Sequence, residues 1–270
     1  MQMKLARRLV AKPWGRRDLP DQFGGLPAEP VGEVWFTGDG NLQLLAKYLF
    51  TSERLSVQVH PGDDQARARG LTQGKEECWY VLEAVPGATI GLGWTREVTR
   101  HEMRAAALDG SIVGLLDWKP VRAGDFFYVL AGTVHAIGGG VTLLEFQQNA
   151  DVTYRLYDYG RPRELHLDDA VAVAATNPYA DARSRAVDPR ASIMLVDSPR
   201  FSLAHVTGTD LGLLDAFAGK QRWLLPIEGS LQVGGASAGP GECLLLDPAE
   251  RIEAIEGRVL IGAEGAVSAA

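Results

Sequence analysis

The sequence predicts a mainly β protein made of two small antiparallel barrels of the double-sheet, jelly-roll kind, with a few added helices. Three observations carry that expectation. The 270 residues include 31 glycines and 14 prolines, enough punctuation to end many short strands. Short apolar or alternating runs recur along the chain. AVPGATIGLG followed by VRAGDFFYVLAG in the first half is paralleled by GSLQVGG followed by GPGECLLLDP in the second. That parallel reads as a weak internal repeat of one barrel unit.

In chain order, VGEVWFTG, LQLLAKYLF and RLSVQVHP read as strands within residues 31–62. DDQARARGL (63–71) reads as a short helix opened by Asp63 or Asp64. The run that follows Glu76 is a strand with Glu77, Trp79 and Val81 on one face. Residues 96–118 have helical composition and period, broken near Asp109-Gly110, and read as helices inserted between strands. Strands and tight turns resume from Val121, with glycines at 124, 132 and 138–140. HLDDAVAVAAT (166–176) is a further helix, stopped before Asn177-Pro178. From about residue 190 the chain is strand-like again, in SIMLVD, FSLAHVTG, RWLLPIEGSLQVGG, GECLLLDP and RIEAIEGRVLIG.

Hydrophobic residues make up 46% and charged residues 23%, the balance of an ordinary soluble globular protein. The net charge of −7, with no basic run, argues against nucleic-acid binding and means that an anionic ligand needs a local cluster of Lys and Arg. No apolar stretch has the length of a membrane span. The N-terminus is basic but lacks the apolar core of a signal peptide, so the expected compartment is the cytoplasm. Two cysteines, Cys78 and Cys243, do not make a disulfide framework. The sequence leaves monomer and homodimer equally open.

Three segments carry chemistry: Gln58-Val59-His60-Pro61, Lys75-Glu76-Glu77-Cys78-Trp79 and Gly132-Thr133-Val134-His135-Ala136. Gln58, His60, Glu77 and His135 together supply an amide oxygen, two imidazoles and a carboxylate, a set suited to zinc or another borderline divalent ion. In RLSVQVHP, Ser56, Gln58 and His60 share one strand face, which is an odd face to make polar unless it lines a site. The segments are distant in sequence, so only strands brought together make them one site. His101, His166 and His205 stand alone and read as structural or surface histidines. Gly138-Gly139-Gly140 reads as a hairpin turn, since no Lys-Ser/Thr follows it and its flanks are strands.

With these residues in view, the chain resembles the type I phosphomannose isomerases of the cupin superfamily, in their short bacterial form. The resemblance runs through residues 32–170. It is carried by Gly32-Glu33-Val34-Trp35, the Leu44–Lys47 run, LSVQVHP, GKEECWYVL, GDFFYV, GTVHAIG, LEFQQNADVTYRLYDYGR and RELHL. It implies one zinc ion per chain on Gln58, His60, Glu77 and His135, and a reversible exchange of mannose 6-phosphate and fructose 6-phosphate through a cis-enediol. It implies a catalytic set of Lys75, Asp151 and Arg155. Trp14 would belong to the substrate pocket, Lys47 and Ser56 to the substrate's phosphate end, and Glu145 to the acidic part of the site.

The implied domains are a metal-binding catalytic cupin over 1–185, with the helical insert near 96–118, and a cupin-like barrel without metal ligands over 186–270. Lys75, Asp151 and a zinc-bound water stand as three candidates for the base. The chain departs from the family pattern at Trp14-Gly15-Arg16, where a second glycine is usual, and at Leu130, where proline is usual. The large helical domain of the longer relatives is absent or reduced to the insert at 96–118. Two other readings of the same residues stay open: an iron oxygenase with a two-His, one-carboxylate site, and a sugar-phosphate binder without turnover.

Overall fold

The structure, a computed structural model, describes residues 3–267. The first strands are β1 (Met3–Lys4), β2 (Ala6–Arg16), β3 (Val31–Thr37), β4 (Leu44–Phe50) and β5 (Val57–Val59). Helix α1 (Asp63–Arg67) precedes β6 (Glu77–Ala84) and β7 (Thr89–Trp94). Helices α2 (Arg100–Asp109) and α3 (Ile112–Leu115) lead to β8 (Leu116–Pro120), β9 (Asp125–Val129), β10 (His135–Ile137), β11 (Val141–Gln148) and β12 (Tyr154–Tyr157). After α4 (Leu167–Val173) come β13 (Arg185–Ala186), β14 (Ile193–Asp197), β15 (Phe201–Thr207), β16 (Arg222–Val233), β17 (Ala236–Ala238), β18 (Leu244–Leu246) and β19 (Ile252–Glu264). The protein is mainly β, as the sequence predicts, and cupin-like.

Two sheets face each other in the first barrel. One runs β13-β9-β6-β11-β4-β3-β2 and the other β12-β5-β10-β7-β8. Their shared interior holds Trp14, Leu49, Leu55, Trp79, Val81, Leu92, Val129 and Ile137, packed around the polar side chains described below. The helices cover the outside of the five-stranded sheet, where Val57, Val59, Met103, Ala106, Ala136, Leu156 and Ala170 form a separate core. Thr99 caps α2 by accepting the Glu102 amide, and Gly110, at φ 83°, ends it in a left-handed turn that a side chain would strain. The helical region is shorter than the sequence predicts. Residues 116–118 belong to β8, which pairs with β7 and adds an edge to the sheet.

The second barrel is one sheet, β1-β18-β16-β19-β15-β14, with β17 on β16. It closes around a hydrocarbon core that includes Val206, Phe217, Leu224, Leu231, Leu246 and Ile261. The repeat seen in sequence is therefore loose: β7 and β9 lie in different sheets of the first barrel, whereas β16 and β18 pair directly in the second. Between the barrels, the back of the first seven-stranded sheet packs on the second through Tyr48, Tyr80, Tyr128, Phe146, Phe201 and Trp223. Cys78 and Cys243 lie in this same core, both free and buried. β1 crosses the seam, with Met3 opposite Leu245 and Lys4 opposite Leu244. No described helix is long and apolar enough to cross a membrane.

Candidate metal centre and active site

Strand pairing assembles the site. His135 opens β10 directly opposite Gln58 on β5, and Arg155 on β12 lies opposite Gln58 on its other side. In the facing sheet, Trp35, Lys47, Glu145 and Trp79 form one row across β3, β4, β11 and β6. The period of two along β6 turns Glu77 and Trp79 inward and sends Cys78 and Tyr80 to the seam between barrels. Lys75 precedes β6 on a tight segment. Its amide donates to Pro61 O at 3.0 Å, and a Cβ on Gly74 would lie 2.5 Å from the Pro61–Gly62 backbone. That close approach sets the Lys75 ammonium beside His60.

His60, Glu77 and His135 are each 1% exposed, and their ligand atoms all lie within 4.8 Å of one another. His60 Nδ1–H donates to Val152 O at 2.7 Å and His135 Nδ1–H to Thr133 O at 2.9 Å. Both imidazoles therefore turn an unprotonated Nε2 inward, with the tautomer held by a carbonyl behind, and His60 Nε2 accepts from Lys75 Nζ at 3.2 Å. Glu77 reaches both: Oε2 is 3.6 Å from His60 Nε2 and Oε1 is 3.5 Å from His135 Nε2. Oε2 also lies 2.6 Å from Lys75 Nζ but makes no hydrogen bond of good direction. Gln58 Nε2 is 3.3 Å from His135 Nε2, while its Oε1 accepts from Ser56 Oγ at 3.0 Å. Rotating that amide by half a turn puts the oxygen on the histidine side and lets the Ser56 hydroxyl accept instead.

This donor set fits a divalent metal. Burial pushes His60 well below its ordinary pKa and His135 down to about 4, so both rings are neutral ligands near neutral pH. Burial and the nearby Glu145 raise Glu77 to about 7, against the pull of Lys75. A carboxylate held this reluctantly, between two lone pairs, is a group that a cation would relieve.

The charged row beside the donors is nearly dry. Glu145 pairs with Lys47 at 3.0 Å and with Lys75 at 3.6 Å. Burial would raise Glu145, but Lys47 and Lys75 overcome it and pull the carboxyl down to about 2. Burial would likewise lower Lys75, yet Glu145 and Glu77 outweigh it and keep the ammonium charged. Lys47 also lies 4.0 Å from Glu33 and 4.6 Å from the Trp35 ring centre. Glu33 pairs with Lys12 at 3.2 Å and accepts from Trp35 Nε1 at 2.5 Å.

These groups line a cleft of about 270 Å³, sized for a monosaccharide derivative rather than a nucleotide. Trp14, Lys47, Gln58, Lys75, Glu77, Glu145, Asp151 and Arg155 all border it. Trp14 is 2% exposed and stacks over Gly32, where a Cβ would lie 2.6 Å from its ring. Ser56 sits behind Gln58, outside the cleft lining, and Asp151 is exposed on the rim. Among the described residues Asp151 forms no ion pair with Lys75 or Arg155, so it does not orient either through direct contact.

Arg155 Nε is buried without a partner, and burial together with Arg163 depresses its pKa. The sequence reading missed four members of the wall. Lys12 and Glu33 belong to paired strands that no motif joins. Arg163 is held in bidentate fashion by the buried Asp158 at 2.6 and 2.7 Å. His166, read from sequence as structural, also lines the cleft and accepts the Arg155 amide on Nδ1 at 3.3 Å. The turn preceding α4, which folds back onto β12, brings it there. His101 is exposed, and His205 is buried in the seam, away from this cleft.

No family model matches the chain. A mannose-6-phosphate isomerase of Streptococcus mutans is 34% identical over 242 residues, which span 74% of this chain and 76% of that one. The crystal structure of the mannose 6-phosphate isomerase from Bacillus subtilis superposes with a TM-score of 0.79 at 27% identity, over 97% of this chain and 99% of that one. A zinc-bound mannose 6-phosphate isomerase structure shares the fold at a TM-score of 0.70 and 15% identity, over 98% of this chain and 99% of the other. Sequence likeness across three quarters of both proteins, joined to the same fold, shows that the chain belongs to the mannose-6-phosphate isomerase family, aldose–ketose isomerases of the cupin type.

Proposed function

We propose that this isomerase interconverts mannose 6-phosphate and fructose 6-phosphate through a cis-enediol, with one zinc ion held by Gln58, His60, Glu77 and His135. The observation that carries the reading is the convergence of two unprotonated imidazole nitrogens and both oxygens of Glu77 at one wall of a monosaccharide-sized cleft. When bound there, zinc supplies Lewis-acid stabilisation of negative charge on a sugar oxygen. Two neutral imidazoles, one amide and one carboxylate leave that centre net positive.

The exchange moves one carbon-bound hydrogen. A base takes the C2 proton and returns it to C1, while O1 gains a proton and O2 loses one. Lys75, kept charged by Glu145 and Glu77, suits the oxygen proton, and a charged ammonium cannot serve as the base. Asp151 is the free carboxylate on the rim and takes the carbon proton. Arg155, with an unspent donor edge, binds the enediolate oxygens.

Inside the cleft, Lys12, Lys47 and Lys75 balance Glu33, Glu77 and Glu145, Asp151 faces Arg155, and Asp158 engages Arg163, so surplus positive charge is left to the bound metal, with the unspent donor edge of Arg155 beside it. That surplus receives the phosphate. Lys47 and Ser56 support the substrate end indirectly, Lys47 by fixing Glu145 and Ser56 by fixing Gln58. Trp14 forms the apolar wall.

Every residue that lines the cleft falls within 1–185, which supports a catalytic unit over those residues and a metal-free supporting barrel over 186–270. Two free cysteines support a cytoplasmic setting. A coupled assay of mannose 6-phosphate conversion, run before and after chelation with metal content measured on the same sample, tests the reading. Turnover that falls with zinc and returns on its addition is expected. Full turnover in metal-free protein would sink the metal assignment, and unchanged turnover in Asp151→Asn would sink the base assignment.

A further inference from the structure

A second cavity, of about 420 Å³, lies at the seam between the barrels, on the opposite face of the sheet that carries Lys47 and Glu77. We propose that it is a binding site for a small uncharged molecule with an aromatic or alicyclic body and one hydrogen-bond-accepting oxygen. Its walls come from both barrels: Phe23, Tyr48, Phe50 and Tyr80 from the first, Ile227 and Arg258 from the second. The volume falls in the range of ligand pockets, and aromatic walls with few polar groups are the usual makeup of such sites. Exposed Gln22, Glu83 and Pro189 form its rim, so the cavity has an entrance.

The polar groups choose the ligand. Tyr80 is 3% exposed, and no acceptor takes the hydrogen of its hydroxyl. A buried hydroxyl donor left without an acceptor is rare in a folded protein and marks a place for one. Arg258 acts on the Tyr80 oxygen through its charge and a side-chain hydrogen bond in which the guanidinium can only donate, so the Tyr80 O–H remains a free donor; Glu228 holds that guanidinium at 2.7 Å through Nε and Nη2. With Glu228 already on Arg258 and Glu83 at the rim, a carboxylate ligand meets like charge. An uncharged acceptor oxygen meets a free donor. The Tyr80 ring stacks on His205, at 5.8 Å between centres and 19° between planes, which fixes the direction of the hydroxyl. Because the cavity opens on the far side of the sheet, its ligand does not compete with sugar phosphate.

Acetophenone and toluene serve as probes in a ligand-observed NMR titration of the intact protein, each repeated with saturating mannose 6-phosphate. Saturable acetophenone binding is expected at about millimolar Kd, as suits so small a ligand, and unaltered by the sugar phosphate. Tyr80→Phe weakens acetophenone about tenfold and leaves toluene unchanged, because only the hydroxyl is removed. Ile227→Trp fills the cavity and removes both. Tyr80 does not line the sugar-phosphate cleft, so the Tyr80→Phe protein keeps its turnover and its result stands whether or not Ile227→Trp folds. Equal acetophenone affinity in the wild type and Tyr80→Phe, displacement by mannose 6-phosphate, or no saturable binding up to ~10 mM would overturn the proposal.

Discussion

The two barrels solve the same packing problem with opposite interiors. The second encloses mainly hydrocarbon, with Phe217, Leu224, Leu231 and Ile261 in its core. The first encloses two histidines, three carboxylates and two lysines among its tryptophans, most of them under a tenth exposed. Buried charges cost free energy unless paired, and Lys47, Lys75, Glu77 and Glu145 are mutually paired. The difference teaches where stability and chemistry reside. A polar interior is poorly stabilising for its size, and an apolar barrel packed against its back through Tyr48, Phe146 and Trp223 offsets that weakness.

The comparison is broken most directly at a donor. His135→Ala is expected to cut zinc occupancy and lower turnover by ~10³-fold or more, read by metal analysis and coupled assay on one sample. Full zinc content in that variant would remove His135 from the centre. Glu145→Ala leaves two buried ammonium groups short of a partner and is expected to cost ~3–5 kcal/mol in denaturant unfolding. A cost below ~1 kcal/mol would mean that the charged row is hydrated and the contrast between interiors overstated.

Arg155→Ala should keep its zinc and lose ~10²–10³-fold in turnover. Zinc lost together with activity would contradict a division between holding metal and stabilising charge. The pH dependence of metal uptake sharpens the point. Glu77 sits at about 7 in the metal-free chain, so protons compete with metal below that pH. Apparent zinc affinity should fall ~10-fold per pH unit as the pH drops below 7, until the histidines add their own competition nearer 4. Calorimetry in two buffers of different ionisation enthalpy reads the released proton, and a flat affinity between pH 5 and 7 would refute it. In the other barrel, Leu231→Ala opens a hole in the core and should cost ~2–4 kcal/mol in stability while kcat, KM and zinc content stay as they were. A changed KM there would show that the supporting barrel shapes the cleft.

Much of the site was readable because strands alternate. Ser56, Gln58 and His60 share a face by the period of two, and Glu77 with Trp79 follows the same rule, so the polar positions announce an interior. What was not readable depends on which strands become neighbours. Nothing local ties Lys12 to Glu33, or Asp158 to Arg163, as partners around one cleft; the first pair needs the β2–β3 register and the second a turn after β12. His166 looked isolated because its contact with Arg155 forms through a backbone amide, which carries no sequence signal. The strand at 116–118 was masked by the helical composition before it. The pairing of Lys47 with Glu145 and of Ser56 with Gln58 was equally hidden.

The short pairing of Met3 and Lys4 with Leu245 and Leu244 bears on the order of events during synthesis. β1 emerges from the ribosome before the other described strands, yet its hydrogen-bonding edge belongs to a sheet whose strands are made last. The first barrel, whose strands all precede residue 187, has the material to close while β1 still waits. Docking β1 onto β18 then covers an edge of the second sheet and ties the first described strand to one of the last. The last assembly step on this account belongs to the strand made before all the other described ones.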